Sequence, residues 1–233
     1  MTETAISTAT ESVADFAARA RAWLAENMPT IDPDHPPFSV RAEQASWDHA
    51  KDLQKRLYAG GFAGICFPPR EYGGLGLDHA YQKAFDAECR GYEMPLILNV
   101  PTFTICAATI FLDMGTEAQK RERISAAIRG DEILCQLLSE PSGGSDLAGV
   151  ITRADRRGDT WVVNGAKTWS TSAFAADYGL MLARTDWTVP KHEGLTMFLV
   201  PLNSPRYHDA PDQRGQRQRG ILRRVLRRPG TER

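Results

Sequence analysis

Residues 135–149, Cys-Gln-Leu-Leu-Ser-Glu-Pro-Ser-Gly-Gly-Ser-Asp-Leu-Ala-Gly, mark the place where a helical sequence gives way to a stranded one. Ile133 to Leu138 is a short apolar run suited to a strand, and it delivers the chain into Ser139–Asp146. Pro141 sets a turn there, and Gly143 and Gly144 let the backbone approach a ligand closely. Backbone N–H groups together with Ser142 and Ser145 suit an anionic or carbonyl-rich ligand, although an ordinary Ser/Gly loop has the same composition. A second stretch, residues 164–172, reads Asn-Gly-Ala-Lys-Thr-Trp-Ser-Thr-Ser. Asn164-Gly165 is a turn dipeptide. Trp169 stands beside the hydroxyls of Ser170 and Thr171, and an aromatic face with donors beside it can hold a planar heteroaromatic ring. A core Trp with polar neighbours reads the same way.

Upstream, the apolar positions recur at helical spacing. Glu11 to Met28 places Val13, Phe16, Ala20, Trp23 and Leu24 on one face and closes at Pro29. A Pro-rich linker through Pro37 follows, and then a second helical stretch from Ser39 to Gly60-Gly61. Residues 67–77 form a turn-rich loop whose glycines fit neither dinucleotide nor P-loop spacing. Residues 78–93 and 101–114 are helical, and Thr116 caps a short helix that ends at Gly130. Downstream, Gly149–Ala154 and Thr160–Val163 read as strands around Arg156-Arg-Gly-Asp, a hairpin signal. Tyr178–Ala183 and Leu195–Leu202 are apolar runs suited to buried strands. The expected class is α+β: an all-helical domain over residues 1–130, then a small β-barrel or sandwich-like domain over 131–205.

The composition is that of a water-soluble globular chain: 233 residues, 42% hydrophobic, 24% charged, with a net charge of -1. That balance gives no overall attraction to nucleic acid or to an anionic membrane. Cys66, Cys89, Cys106 and Cys135 form no C-x-x-C pair, and the five histidines form no i, i+4 pair, so free thiols and no metal site are expected. The N-terminus has no signal-peptide pattern and the longest apolar stretch is too short to span a bilayer, so a cytoplasmic location is expected.

Five landmarks occur in order: the Pro68-Pro-Arg-Glu-Tyr-Gly-Gly-Leu-Gly loop, Gly115-Thr-Glu-Ala-Gln-Lys, Ser139-Glu-Pro-Ser-Gly-Gly-Ser-Asp, Asn164-Gly-Ala-Lys-Thr-Trp-Ser-Thr and Gly194-Leu-Thr-Met-Phe-Leu-Val-Pro. With them the first 205 residues resemble the acyl-CoA dehydrogenase family. The resemblance implies FAD, an acyl-CoA substrate, an electron-transfer acceptor and assembly into homo- or hetero-oligomers. It implies that Leu138 and Ser139 meet the pyrimidine end of the flavin, with Gly144 in the same loop. Ser145 would lie by the pyrophosphate and the acyl-CoA, Trp169 and Ser170 would pack against the ring system, and Thr171 would sit near N5. The reaction implied is α,β-dehydrogenation of the thioester with hydride transfer to flavin N5. A catalytic glutamate is expected in a C-terminal helical region that these residues do not contain, so no residue here is assigned as the base, Glu140 and Glu193 included. The chain is accordingly expected to be truncated: a remnant, or a partner subunit to a complete relative.

Residues 206–233 depart from the resemblance. They hold nine Arg against Asp209, Asp212 and Glu232, a net of +6 where the preceding residues carry -7. A nucleic-acid arm is disfavoured, because Tyr207 is the one aromatic residue and no recognition motif accompanies it. The stretch is expected to be disordered or frame-shifted, since synonymous codons read one base later can spell the family's continuation. With so few large apolar residues it should lack a fold of its own.

Overall fold

The computed structural model describes residues 11–34, 43–67, 70–111, 114–170, 172–202, 207–211 and 217–227. Helix α1 (Val13–Asn27) begins where the Ser12 hydroxyl accepts the Asp15 backbone N–H at 3.1 Å. Such a cap contributes about 1 kcal/mol. Phe16, Ala20 and Leu24, four residues apart, form its buried face, and extended backbone at Met28 ends it before Pro29. Helix α2 (Gln44–Ala59) buries Trp47, Ala50, Leu53, Gln54 and Leu57. The expected start of this stretch at Ser39 lies outside the described residues, as do Pro36, Pro37, Pro68 and Pro69.

Helix α3 (His79–Glu88) is capped by the Asp78 side chain. Helix α4 (Leu96–Leu98) runs on as a π-helical stretch, Asn99–Phe111. Thr116 caps α5 (Glu117–Gln119) in a reciprocal box with Gln119, as the Thr-Glu-Ala-Gln pattern predicts. A π-helical turn, Lys120–Ile124, leads into α6 (Ser125–Arg129), which stops at Gly130.

Among the described residues seven strands follow: β1 (Leu134–Leu137), β2 (Arg153–Arg157), β3 (Thr160–Thr168), β4 (Tyr178–Arg184), β5 (Leu195–Pro201), β6 (Tyr207–Pro211) and β7 (Arg217–Arg227). They form an open mixed sheet in the order β1-β4-β2-β3-β7-β6, with β5 antiparallel to β4. The α+β class therefore holds, and the β part is an open sheet rather than a closed barrel. Strand β4 pairs in parallel with β1 and β2 and antiparallel with β5, and Gly179 through Arg184 are all buried. Its two faces feed two cores. Leu180 and Leu134 join Phe16, Leu24, Phe62 and Phe85 of the helical part, whereas Met181 and Ala183 join Trp47, Ile97, Leu137, Val163 and Val200. Burial on both faces explains why β4 reads as a continuous apolar run.

Three sequence readings change. Asn164-Gly165 is not a turn, because β3 runs straight through it. Gly165 serves close approach instead: a Cβ there would lie 2.2 Å from the Thr152 hydroxyl oxygen. The strand expected over Gly149–Ala154 begins only at Arg153, since Leu147–Gly149 form a 3-10 turn. Within the Arg-rich stretch, Tyr207–Pro211 and Arg217–Arg227 form strands, and β7 pairs antiparallel with β3 from Thr160↔Arg227 to Thr168↔Arg219. The composition argument weighed the absence of a private core. It left out the ladder that the free side of β3 offers, where backbone groups find partners without one. No helix among the described residues is long and apolar enough to cross a membrane.

Candidate functional site

The ends of β1 and β3 meet. The Thr168 backbone N–H donates to the Ser139 carbonyl at 2.9 Å, so Trp169 leaves the sheet beside Ser139. Beneath this junction the Lys167 ammonium donates to the Leu138 carbonyl at 3.0 Å and to Glu140 Oε1 at 2.8 Å. The Glu140 carboxylate also accepts the backbone N–H groups of Ile151 at 2.7 Å and Thr152 at 2.9 Å. The two side chains are 0% and 2% exposed.

Burial alone would raise the Glu140 pKa. The Lys167 ammonium and the donors from residues 151 and 152 outweigh it and hold the carboxyl below the usual carboxylate range. At Lys167 burial prevails over the pull of Glu140 and lowers the pKa. The two shifts speak differently about the pair. The carboxylate has backbone dipoles to help it, whereas the ammonium finds only a carbonyl besides its partner, so the ionised carboxylate is the better-supported half.

Beyond this anchor the chain turns outward. Glu140 and Gly143 exchange reciprocal backbone hydrogen bonds at 3.0 Å, and residues 141 to 147 are exposed. A Cβ at Gly144 would lie 3.1 Å from the Ser139 hydroxyl, so the glycine keeps that hydroxyl uncovered. The far end of the loop is pinned by Arg184, whose guanidinium donates to the carbonyls of Ala148 at 2.6 Å, Val150 at 3.2 Å and Lys191 at 3.2 Å. Lys191 in turn pairs with Asp146 at 2.8 Å. Trp169 is 69% exposed and has a φ of 59°, the left-handed region that costs a non-glycine residue about 1–3 kcal/mol. Ser170 is buried, and its hydroxyl has no hydrogen-bond partner among the described residues.

An exposed, strained indole, an orphaned buried hydroxyl and a glycine-opened serine around one junction fit a planar, polar-edged cofactor such as FAD. The structure brings Leu138, Ser139, Gly144, Trp169 and Ser170 together around that junction. Ser145 stands on the exposed loop, and Thr171 lies outside the described residues. Sequence reading missed Lys167 and Arg184. It also treated Glu140 only as part of a turn motif. The available signal was an acid and a lysine, one in each motif. Neither Glu140 nor Glu193 is placed as a base: the first is locked into its ion pair, and the second is exposed. The described residues contain no cluster of His, Cys, Asp and Glu able to hold a metal ion. Cys106 and Cys135 are buried free thiols, and burial pushes Cys106 up to about 12, well away from reactivity. A cavity of about 750 Å³ lies elsewhere, among Leu57, Phe62, Phe85, Leu96 and Phe103 of the helical part.

Two family descriptions match the sequence: "Acyl-CoA dehydrogenase, N-terminal domain" over residues 10–131 and "Acyl-CoA dehydrogenase, middle domain" over residues 135–226. Acyl-CoA dehydrogenase IpdE1 of Mycobacterium tuberculosis is 33% identical over 202 residues, covering 84% of this chain and 50% of the relative. Among solved structures, the ChsE4-ChsE5 complex from Mycobacterium tuberculosis superposes with a TM-score of 0.65 at 25% identity, over 96% of this chain and 55% of that one. A glutaryl-CoA dehydrogenase from Mycobacterium smegmatis in complex with FADH2 gives a TM-score of 0.60 at 25% identity, over 92% and 53%. The chain spans about half the length of the IpdE1 relatives it matches.

Proposed function

Because the chain belongs to the acyl-CoA dehydrogenase family, we propose that it holds FAD at the junction of β1 and β3 and serves the α,β-dehydrogenation of an acyl-CoA thioester. The observation that carries this reading is the Thr168–Ser139 hydrogen bond, which sets Trp169 and the orphaned Ser170 hydroxyl beside the Leu138–Gly144 segment. Bound FAD supplies the acceptor at N5 for the hydride leaving the β-carbon. The protein binds and orients. Leu138 and Ser139 present backbone and hydroxyl groups to the pyrimidine edge, where fixed donors stabilise the charge that develops on reduction. Trp169 and Ser170 would pack against the ring, and Gly144 and Ser145 would admit the pyrophosphate, with Ser145 also toward the acyl-CoA; the family resemblance assigns Thr171, outside the described residues, to N5. The base that takes the α-proton comes from outside these residues. The electrons pass on to a separate electron-transfer acceptor, and the working form is an oligomer of related chains in the cytoplasm.

A second reading has a specific observation behind it: one close structural neighbour is named as a complex of two proteins, ChsE4 and ChsE5. In this reading the chain is a non-catalytic partner subunit that completes the flavin site of a longer relative. Titrating the purified chain with FAD and following flavin fluorescence separates these readings from failure. Saturable binding near one FAD per chain is expected in both readings. Bleaching by an acyl-CoA in the chain alone would show that a base lies within these residues, and bleaching that requires an added longer relative identifies the partner subunit. Absence of binding removes the proposal of a flavin site in this chain.

A further inference from the structure

The buried Lys167–Glu140 pair is an unusual element on which to build a fold. Replacing such a pair with apolar side chains is often neutral or stabilising, because desolvating two charges offsets their attraction. Stability therefore does not account for it. Its contacts do. Both members act on the backbone of the segments that form the junction: Lys167 on the carbonyl of Leu138, and Glu140 on the N–H groups of residues 151 and 152. A peptide unit is planar and trans, so its carbonyl and the following N–H point in opposite directions. Holding the Leu138 carbonyl inward toward Lys167 aims the Ser139 N–H outward. The next peptide unit is held as well, with its Ser139 carbonyl bound by Thr168 and its Glu140 N–H bound to Gly143.

We propose that Lys167 and Glu140 are positioning residues for the cofactor: the buried pair orients the Leu138–Ser139 peptide toward the flavin edge and ties the loop after it to the start of β2. This inference rests on the reading that FAD binds at the junction. The pair touches neither cofactor nor substrate. It fixes the direction of groups that do, and in a water-poor setting such preorganised dipoles are worth more than mobile ones.

The test uses the whole chain and three variants, Lys167→Met, Glu140→Gln and the two combined, with thermal midpoint and FAD affinity measured on each. Each single variant leaves a buried charge without its partner, so both readouts should fall, with FAD affinity down roughly tenfold or more. The double variant has no buried charge. Its thermal midpoint should recover, while its FAD affinity stays low because the Leu138 carbonyl still has no donor. The visible absorption band of the flavin at saturation should also differ from that of the parent chain. If affinity and band shape recover together with the thermal midpoint, or never change, the pair is structural only and the inference fails while the flavin site stands. If the parent chain binds no FAD, both fail.

Discussion

At the level of single residues, the site combines strain with burial. Trp169 holds a left-handed backbone in the open, a conformation that glycine adopts without cost. Trp169→Gly should therefore leave the thermal midpoint unchanged or raise it slightly, by up to about 1 kcal/mol of stability. The same change should weaken FAD binding, since the aromatic face is lost. A large drop in the thermal midpoint would show instead that the indole is a packing residue. Glu140 makes a prediction in pH. Its folded pKa lies below the ordinary carboxylate value of about 4.3. The unfolded chain therefore takes up the proton first as pH falls. The stability from this group is fully present above that ordinary value and is lost as pH falls through the depressed folded value. Thermal midpoints measured down the acid limb should decline less steeply in Glu140→Gln than in the parent chain.

Among elements, α5 and β7 carry the clearest tests. The Thr116 hydroxyl accepts the Gln119 N–H while the Gln119 side chain accepts the Thr116 N–H, so Thr116→Ala removes one half of the box. The expected cost is about 1 kcal/mol in a denaturant titration. Strand β3 is flanked by β2 on one side and β7 on the other. Ending the chain after Leu202 would turn β3 into an edge strand. Amide exchange along Thr160–Thr168 should then accelerate at the positions that pair with β7 and stay slow at those that pair with β2. Unchanged exchange along the whole of β3 would show that β7 does not sit on it in solution.

For the molecule as a whole, the notable surface is on the helical part. The cavity of about 750 Å³ and a neighbouring one of about 430 Å³ share Ile31, Tyr92, Met94 and Leu96, and Leu96 is 67% exposed. Contiguous apolar surface of this kind favours self-association. The chain should bind a hydrophobic dye and broaden on size-exclusion chromatography, and Leu96→Lys should reduce both. A monodisperse monomer that binds no dye would refute the expectation of an adhesive apolar face.

Much was legible from the chain alone. Periodicity located α1, α2, β4 and β5, the Thr116 cap was readable from four letters, and the paired motifs identified the family. These features are local: a repeat of apolar side chains, a cap or a turn residue acts within a few residues of itself. What only the tertiary structure decided was long-range. Asn164-Gly165 carries a turn signal, but pairing with both β2 and β7 keeps it extended and uses the glycine for clearance against Thr152. Lys167 and Glu140 lie 27 residues apart, and nothing in either motif says that they share a buried site. The Arg-rich stretch lacked a core of its own by composition, yet the ladder it joins belongs to β3. In each case the deciding partner comes from a distant part of the chain, and a hydrogen bond or ion pair between distant segments leaves no mark on the local spacing of residues.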